Sequence, residues 1–268
     1  MRMGGDPVVL IHGAWQGSWA FSRLVPLLQA EGLEAYAVDL PGNGRDGLDP
    51  AEVTLSHYLD YARGLLTRIG RPVSLVGHSG GGAVASAIAE VLNEKVARIA
   101  YVAGMMLPSG VGFSNIQETA MRNNRGTDGV TPHLLWSSDG RVSTVPQAAA
   151  LRYFFDDCLP EDAADATARL TPQGEGGRAI RTVTTAERFG RLARLYVEAT
   201  ADRSVPLVVQ RRMQLLCPGA SVVSLPTGHV PQLSAPRRLA AALLPFLKDP
   251  AAPPTRAAQS YPSNGEPA

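Results

Sequence analysis

The sequence predicts a mostly parallel, doubly wound α/β sheet with helices on both faces and an inserted cap. Three observations carry that expectation. Short apolar runs alternate with segments of helical period as far as residue 104, the alternation stops over 105–183, and it resumes over 184–248. Strands and helices alternating at this spacing make βαβ units. Their right-handed crossovers distribute helices to both faces of a parallel sheet. A chain of 268 residues is long enough to bury one large core.

The elements follow in order. Pro7-Val8-Val9-Leu10-Ile11 is a continuous apolar run, as a strand buried on both faces requires, and His12-Gly13 ends it. Trp19 to Ala30 has helical period, with Phe21, Leu24, Val25 and Leu28 on one face, Ser18 as N-cap and Gly32 as the stop. Glu34 to Leu40 is a second strand, followed by the turn-rich Pro41-Gly42-Asn43-Gly44. Thr54 to Ile69 is a helix, Val73 to Val76 a strand, Gly80 to Asn93 a helix of small residues, and Val96 to Val102 a fourth strand. The stretch that follows is too long for a loop. It holds a hairpin signal over Leu134 to Val145, around Ser138-Asp139-Gly140, and short polar helices such as Pro160 to Leu170. Leu195 to Ala199, Val208 to Leu216, Ser221 to Leu225 and Pro236 to Leu247 then read as strand, helix, strand and helix. The expected organisation is a core of residues 1–104 and 184–248, a cap of 105–183 and a disordered tail of 249–268, where Pro, Ala and Ser dominate without periodicity.

Composition excludes several functional classes. The formal net charge is +1, so no basic excess drives nucleic-acid binding. Two cysteines, Cys158 and Cys217, support neither a disulfide framework nor a four-cysteine zinc site. The N-terminal apolar run is too short for a signal peptide, and no stretch has the length of a membrane span. The expectation is a cytoplasmic protein with a small-molecule partner, no nucleic acid, no membrane, no metal and no cofactor. A homodimer stays open.

Gly77-His78-Ser79-Gly80-Gly81 fits G-x-S-x-G, a weak pattern alone. Its place between a buried strand and a small-residue helix makes it specific. A nucleophile elbow lies there, with glycines where side chains would collide and the Ser79 hydroxyl projected above the sheet. Five histidines are available as base: His12, His57, His78, His133 and His229. The order nucleophile, acid, histidine selects His229, in Pro226-Thr227-Gly228-His229 after the last strand. His12 reads as structural, His57 as a side chain of an amphipathic helix, and His78 as pointing away from the elbow tip. The acid belongs at a strand end between these two residues. Asp202 satisfies that, with Glu198 as the alternative inside the strand. The backbone N–H groups of Gly80 and of Ala14, in the first strand-to-helix loop, are the oxyanion donors. Trp15 either flanks the pocket or joins the core. Met105, Trp136 and Phe154, with Met106, Tyr153 and Phe155, are candidates for an apolar pocket under the cap.

The stretches VLIHGAWQGSWAFSRLVPLL, YAVDLPGNG, SLVGHSGGG, LYVEATADRSVPLVVQRRM and SLPTGHVPQLS resemble the α/β-hydrolases of the plant methyl-ester esterase and hydroxynitrile lyase group, and the bacterial pyrethroid-hydrolase-like carboxylesterases. The resemblance runs from Val9 to about Leu247 and is weakest in the cap. It implies the α/β-hydrolase fold, a triad at Ser79, Asp202 and His229, oxyanion donors at Ala14 and Gly80, and pockets between cap and sheet. The expected activity is a serine carboxylesterase acting on a small to medium apolar ester through an acyl-enzyme. The alternatives are a lyase that uses the same triad as a base, and a ligand-binding relative with incidental turnover. In the related lyases a threonine follows the first-loop histidine and a lysine follows the catalytic one. Here those positions hold Gly13 and Val230. A dehalogenase would need a carboxylate in place of Ser79.

Overall fold

A computed structural model describes residues 5–43, 46–122 and 129–249. The expected tail therefore lies outside the described residues apart from Asp249. Six strands form one sheet: β1 (Val8–Ile11), β2 (Ala35–Val38), β3 (Val73–His78), β4 (Val96–Val102), β8 (Ala193–Ala199) and β9 (Ser221–Leu225). Their order is β2-β1-β3-β4-β8-β9 and every pairing is parallel. A three-stranded antiparallel sheet of β5 (Leu135–Trp136), β6 (Val142–Thr144) and β7 (Gln173–Gly174) lies in the segment between β4 and β8.

The alternation of side chains along each strand builds two separate cores. Val8 and Leu10 face one, with Leu24, Leu28, Leu239 and Leu243. Val9 and Ile11 face the other, with Tyr58, Leu66, Ile88 and Met213. The sheet thus carries α1 (Val25–Ala30) and α10 (Pro236–Lys248) on one side. On the other it carries α2 (Leu55–Ile69), α3 (Gly81–Val91) and α8 (Leu207–Leu216). Strands buried on both faces are what continuous apolar runs specify.

The strand order reverses between β1 and β3. The loops leaving their carboxyl ends run to opposite sides, and a crevice opens between them. The 13–17 loop and the turn at Ser79 both border it. The segment between β4 and β8 covers this end. Its helices are α4 (Phe113–Met121), α5 (Gln147–Tyr153), α6 (Pro160–Ala168) and α7 (Glu175–Arg178). It has a small core of its own, in which Phe154, Phe155 and Leu134 pack with Trp15 and with Val230 and Leu233, the latter in α9 (Pro231–Ser234).

The first helix departs from expectation. In place of one helix over Trp19–Ala30 there is a 3₁₀ turn at Ser18–Phe21 and then α1 from Val25. Pro26 has no N–H to donate to Ser22, so the helix restarts. Ser18 is not a helix cap. Its N–H and hydroxyl both go to Asp39, at 2.6 and 3.1 Å. The hairpin expected over 134–145 is present as β5 and β6, and β7 extends it to three strands.

Candidate active site

Ser79 sits between β3 and α3 with φ of 50°, a left-handed conformation rarely adopted by a non-glycine residue. Its surroundings hold it there. Ser79 N–H donates to the Val102 carbonyl at 3.1 Å, and its own carbonyl accepts from Met105 N–H at 2.8 Å and Gly82 N–H at 3.0 Å. The turn leaves no room for neighbouring side chains. A Cβ on Gly77 would lie 2.6 Å from the Gly81 carbonyl oxygen, and one on Gly81 would strike that of Ile11.

The 13–17 loop approaches from β1. A Cβ on Gly13 would come within 2.9 Å of Ser79 Cβ, and one on Gly80 would lie 3.6 Å from Ala14 N. Ala14 N–H and Gly80 N–H are therefore neighbours beside Ser79. Neither donates a hydrogen bond among the described residues. Two uncommitted backbone donors next to a hydroxyl form a ready anion site.

Asp202 and His229 meet at the ends of β8 and β9. His229 Nδ1 lies 2.8 Å from Asp202 Oδ2, and both side chains are almost fully buried. The other carboxylate oxygen accepts from Ser204 N–H at 2.7 Å and Val205 N–H at 2.8 Å. A carboxylate acceptor assigns the proton to Nδ1, which leaves Nε2 as the basic face of the imidazole. Glu198 is committed elsewhere, to Ser224 Oγ at 2.7 Å, Gln214 Nε2 at 3.0 Å and Arg211 Nε at 3.1 Å. Ser79 and His229 are not hydrogen-bonded to each other, and catalytic hydrogen bonds often tighten only when substrate is present.

The remaining histidines serve as supports. His78 Nε2–H donates to the His229 carbonyl at 2.8 Å, and the two rings pack 4.8 Å apart. Burial, then the neighbouring His229, holds His78 well below the usual histidine pKa, so it is a neutral strut. His12 Nε2 accepts from Leu40 N–H at 3.0 Å and its Nδ1 meets the Gly13 carbonyl at 2.8 Å, which ties the first two strand-end loops together. His57 Nδ1 accepts from Thr54 N–H at 3.2 Å at the start of α2. His133 pairs with the Tyr153 hydroxyl at 2.8 Å.

A cavity of about 40 Å³ opens at Ser79, Ala14 and Gly80. Trp15 and Met105 line it, together with Phe113, Val130 and Val205. The other five expected pocket residues, Trp136, Phe154, Met106, Tyr153 and Phe155, lie elsewhere, and Tyr153 and Phe155 join the small core with Phe154. Phe154 stacks 5.3 Å from the His229 ring and 5.9 Å from Trp15, inside the small core behind the histidine. Trp136 is 43 % exposed on the edge strand β5, where the Arg178 guanidinium covers its ring. Met106 is fully buried in the main core.

Residues outside any motif also build the site. Asp157 accepts from Gly228 N–H at 2.6 Å, and Asp156 pairs with Arg203 at 3.1 Å, so adjacent carboxylates grip the loops that carry His229 and Asp202. Gln173 and Tyr58 line the cavity, and Gln173 joins β7 to the 13–17 loop. Contacts across such sequence distances leave no local signal. Among the described residues, no group of His, Cys, Asp and Glu is arranged to hold a metal. Burial pushes the free thiols Cys158 and Cys217 up to about 12 and about 11, which makes both poor nucleophiles.

Residues 8–242 match the Alpha/beta hydrolase family. The chain belongs to it. Among its relatives, this α/β hydrolase is 32 % identical over 261 residues to a pyrethroid hydrolase of Sphingobium wenxiniae, across 91 % of this chain and 88 % of the relative. It is 27 % identical to the putative methylesterase 13, chloroplastic, of Arabidopsis thaliana, covering 86 % of this chain and 54 % of that longer protein. The crystal structure of a pyrethroid hydrolase from Sphingobium faniae superposes with a TM-score of 0.81 at 31 % identity, covering 92 % of this chain and 98 % of the other. The protein is a carboxylesterase-like α/β hydrolase related to these enzymes.

Proposed function

We propose that the protein is a serine carboxylesterase that hydrolyses a small to medium apolar ester through an acyl-enzyme. The observation that carries this reading is the buried 2.8 Å contact between His229 Nδ1 and Asp202, beside the elbow that presents Ser79. Ser79 Oγ attacks the ester carbonyl carbon while His229 Nε2 takes its proton. Asp202 stabilises the imidazolium that forms. The oxyanion gathers the N–H groups of Ala14 and Gly80, which need no reorganisation to receive it. His229 returns the proton to the leaving alkoxide. It then deprotonates a water molecule that attacks the acyl carbon and frees Ser79. Met105, Phe113, Val130 and Val205 favour apolar acyl or alcohol groups. The names of the relatives, a pyrethroid hydrolase and a methylesterase, support an ester as substrate.

Hydrolysis is favoured over cyanohydrin cleavage by Gly13 and Val230. A side chain at position 13 would collide with Ser79, so no hydroxyl group fits there to orient a cyanohydrin. Val230 is fully buried and cannot stabilise a departing anion, and Lys248 is paired with Glu31 at 2.7 Å at the end of α10. The test is a panel of p-nitrophenyl esters from acetate to octanoate beside mandelonitrile. Ester turnover with no cyanide release above background is expected. Fast mandelonitrile cleavage without ester turnover would overturn the reading.

A further inference from the structure

The turn that carries Ala14 is held from outside its own layer. Residues 13–16 form a β-turn closed by Gln16 N–H to the Gly13 carbonyl at 3.3 Å. Trp15, its third residue, has φ of 63°. Glycine or asparagine is preferred at such a position, and a bulky side chain remains there only if its surroundings require it. The contacts that require it come from the segment between β4 and β8. Trp15 N–H donates to Gln173 Oε1 at 3.3 Å. Thr171 N–H donates to the Trp15 carbonyl at 2.9 Å. The indole N–H reaches the carbonyl and the hydroxyl of Ser143, each at 3.2 Å.

Gln173 is the hub of these contacts. It is 3 % exposed and borders the cavity at Ser79. Its Oε1 also accepts from Asn43 Nδ2 at 2.9 Å, while its Nε2 donates to the Gly174 carbonyl at 3.2 Å and the Tyr58 hydroxyl at 3.3 Å. Both amide protons and both acceptor sites are thus occupied, which fixes the orientation of the amide and leaves Oε1 against Trp15 N–H. On the core side His12 holds the Gly13 carbonyl. The peptide groups on either side of Ala14 are therefore each anchored, one from the sheet and one from β7.

We propose that Gln173 is a positioning residue for the oxyanion hole: by accepting Trp15 N–H it keeps the 13–16 turn in the form that aims Ala14 N–H at the substrate oxyanion. Without that acceptor the Ala14–Trp15 peptide loses the partner of its N–H while Thr171 and Ser143 still hold the Trp15 carbonyl and indole, so the turn shifts locally and carries Ala14 N–H out of line. The inference rests on the esterase reading, in which Ala14 N–H meets the oxyanion.

The test compares wild type with Gln173→Met and Gln173→Leu. The Met variant is the closer in length and carries the test if the Leu variant does not fold. For each, kcat and KM are measured with p-nitrophenyl butyrate. Inhibition is measured with an alkyl trifluoromethyl ketone, whose carbonyl carbon bonds to Ser79 Oγ to give a tetrahedral oxyanion, and with the matching methyl ketone, which stays trigonal. Misplacing one oxyanion donor without deleting it should lower kcat roughly 10- to 100-fold, with KM within about threefold of wild type. The trifluoromethyl ketone should weaken by a similar factor and the methyl ketone hardly at all. A lowered melting temperature with wild-type kcat and wild-type ketone selectivity would show that Gln173 only ties the layers together. Equal weakening of both ketones, with a raised KM, would make it a substrate contact. Either result overturns the proposal. Failure of the esterase reading is separately visible, as a wild-type protein with no ester turnover sensitive to Ser79→Ala.

Discussion

At the scale of single residues, two carboxylates near the end of β8 have opposite fates. Asp202 spends one oxygen on two backbone N–H groups and the other on His229, and its side chain is wholly buried. Glu198 points to Arg211, Gln214 and Ser224. Hydrogen-bond donors and the guanidinium of Arg211 hold its carboxyl below the usual range against the opposing effect of burial, as expected of a structural ion pair. Asp202→Asn should therefore lower ester kcat/KM by roughly 10³- to 10⁴-fold, because it disturbs the imidazole tautomer and removes the stabilising charge. Glu198→Gln should keep kcat/KM within about threefold, since Glu198 bonds to Arg211, Gln214 and Ser224 and does not line the cavity at Ser79. Steady-state kinetics of the two variants checks this, and the reverse ranking would assign the acid to Glu198.

At the scale of elements, the main sheet was legible because its strands are short runs dominated by apolar residues and its helices are periodic. Both signals lie within ten or fifteen consecutive residues. The elbow was legible for the same reason: Gly77, Ser79 and Gly81 are neighbours in sequence, and their steric demands are local. Strand ends and chain order point to Asp202 and His229, which the structure pairs at 2.8 Å. The first helix misled because its apolar spacing runs through Pro26, whose missing N–H breaks it. The pocket was the least legible part. Trp136 and Phe154 are equally apolar, yet one lies on an exposed edge and the other behind His229. Which side of a short strand or helix faces the substrate depends on how the β4–β8 segment docks. That docking is set by contacts such as Gln173 to Trp15, 158 residues apart. Asp157 to Gly228 is of the same kind, and composition near either partner does not announce it.

At the scale of the whole molecule, the strand ends of the sheet carry the loops of Ala14, Ser79, Asp202 and His229, and two neutral imidazoles brace them. His12 and His78 are completely buried, and burial is the main cause that lowers both below the ordinary 6.5. The unfolded chain takes up protons at these sites as pH falls through about 6.5, while the folded protein resists until its lower values are reached. Their contribution to stability is therefore complete above 6.5 and declines below it, by up to about 1.4 kcal/mol per pH unit for each group. Urea unfolding at pH 7.5, 6 and 5 should show midpoints falling with pH. A flat profile would contradict two buried neutral imidazoles.

In the proposed function this crevice makes Ser79 the nucleophile of an ester hydrolase. Treatment with a fluorophosphonate, followed by peptide mapping, tests it most directly. One adduct per chain is expected, on Ser79, with loss of ester turnover in proportion to labelling and no adduct in Ser79→Ala. An adduct on another serine, or full turnover after complete labelling of Ser79, would contradict it.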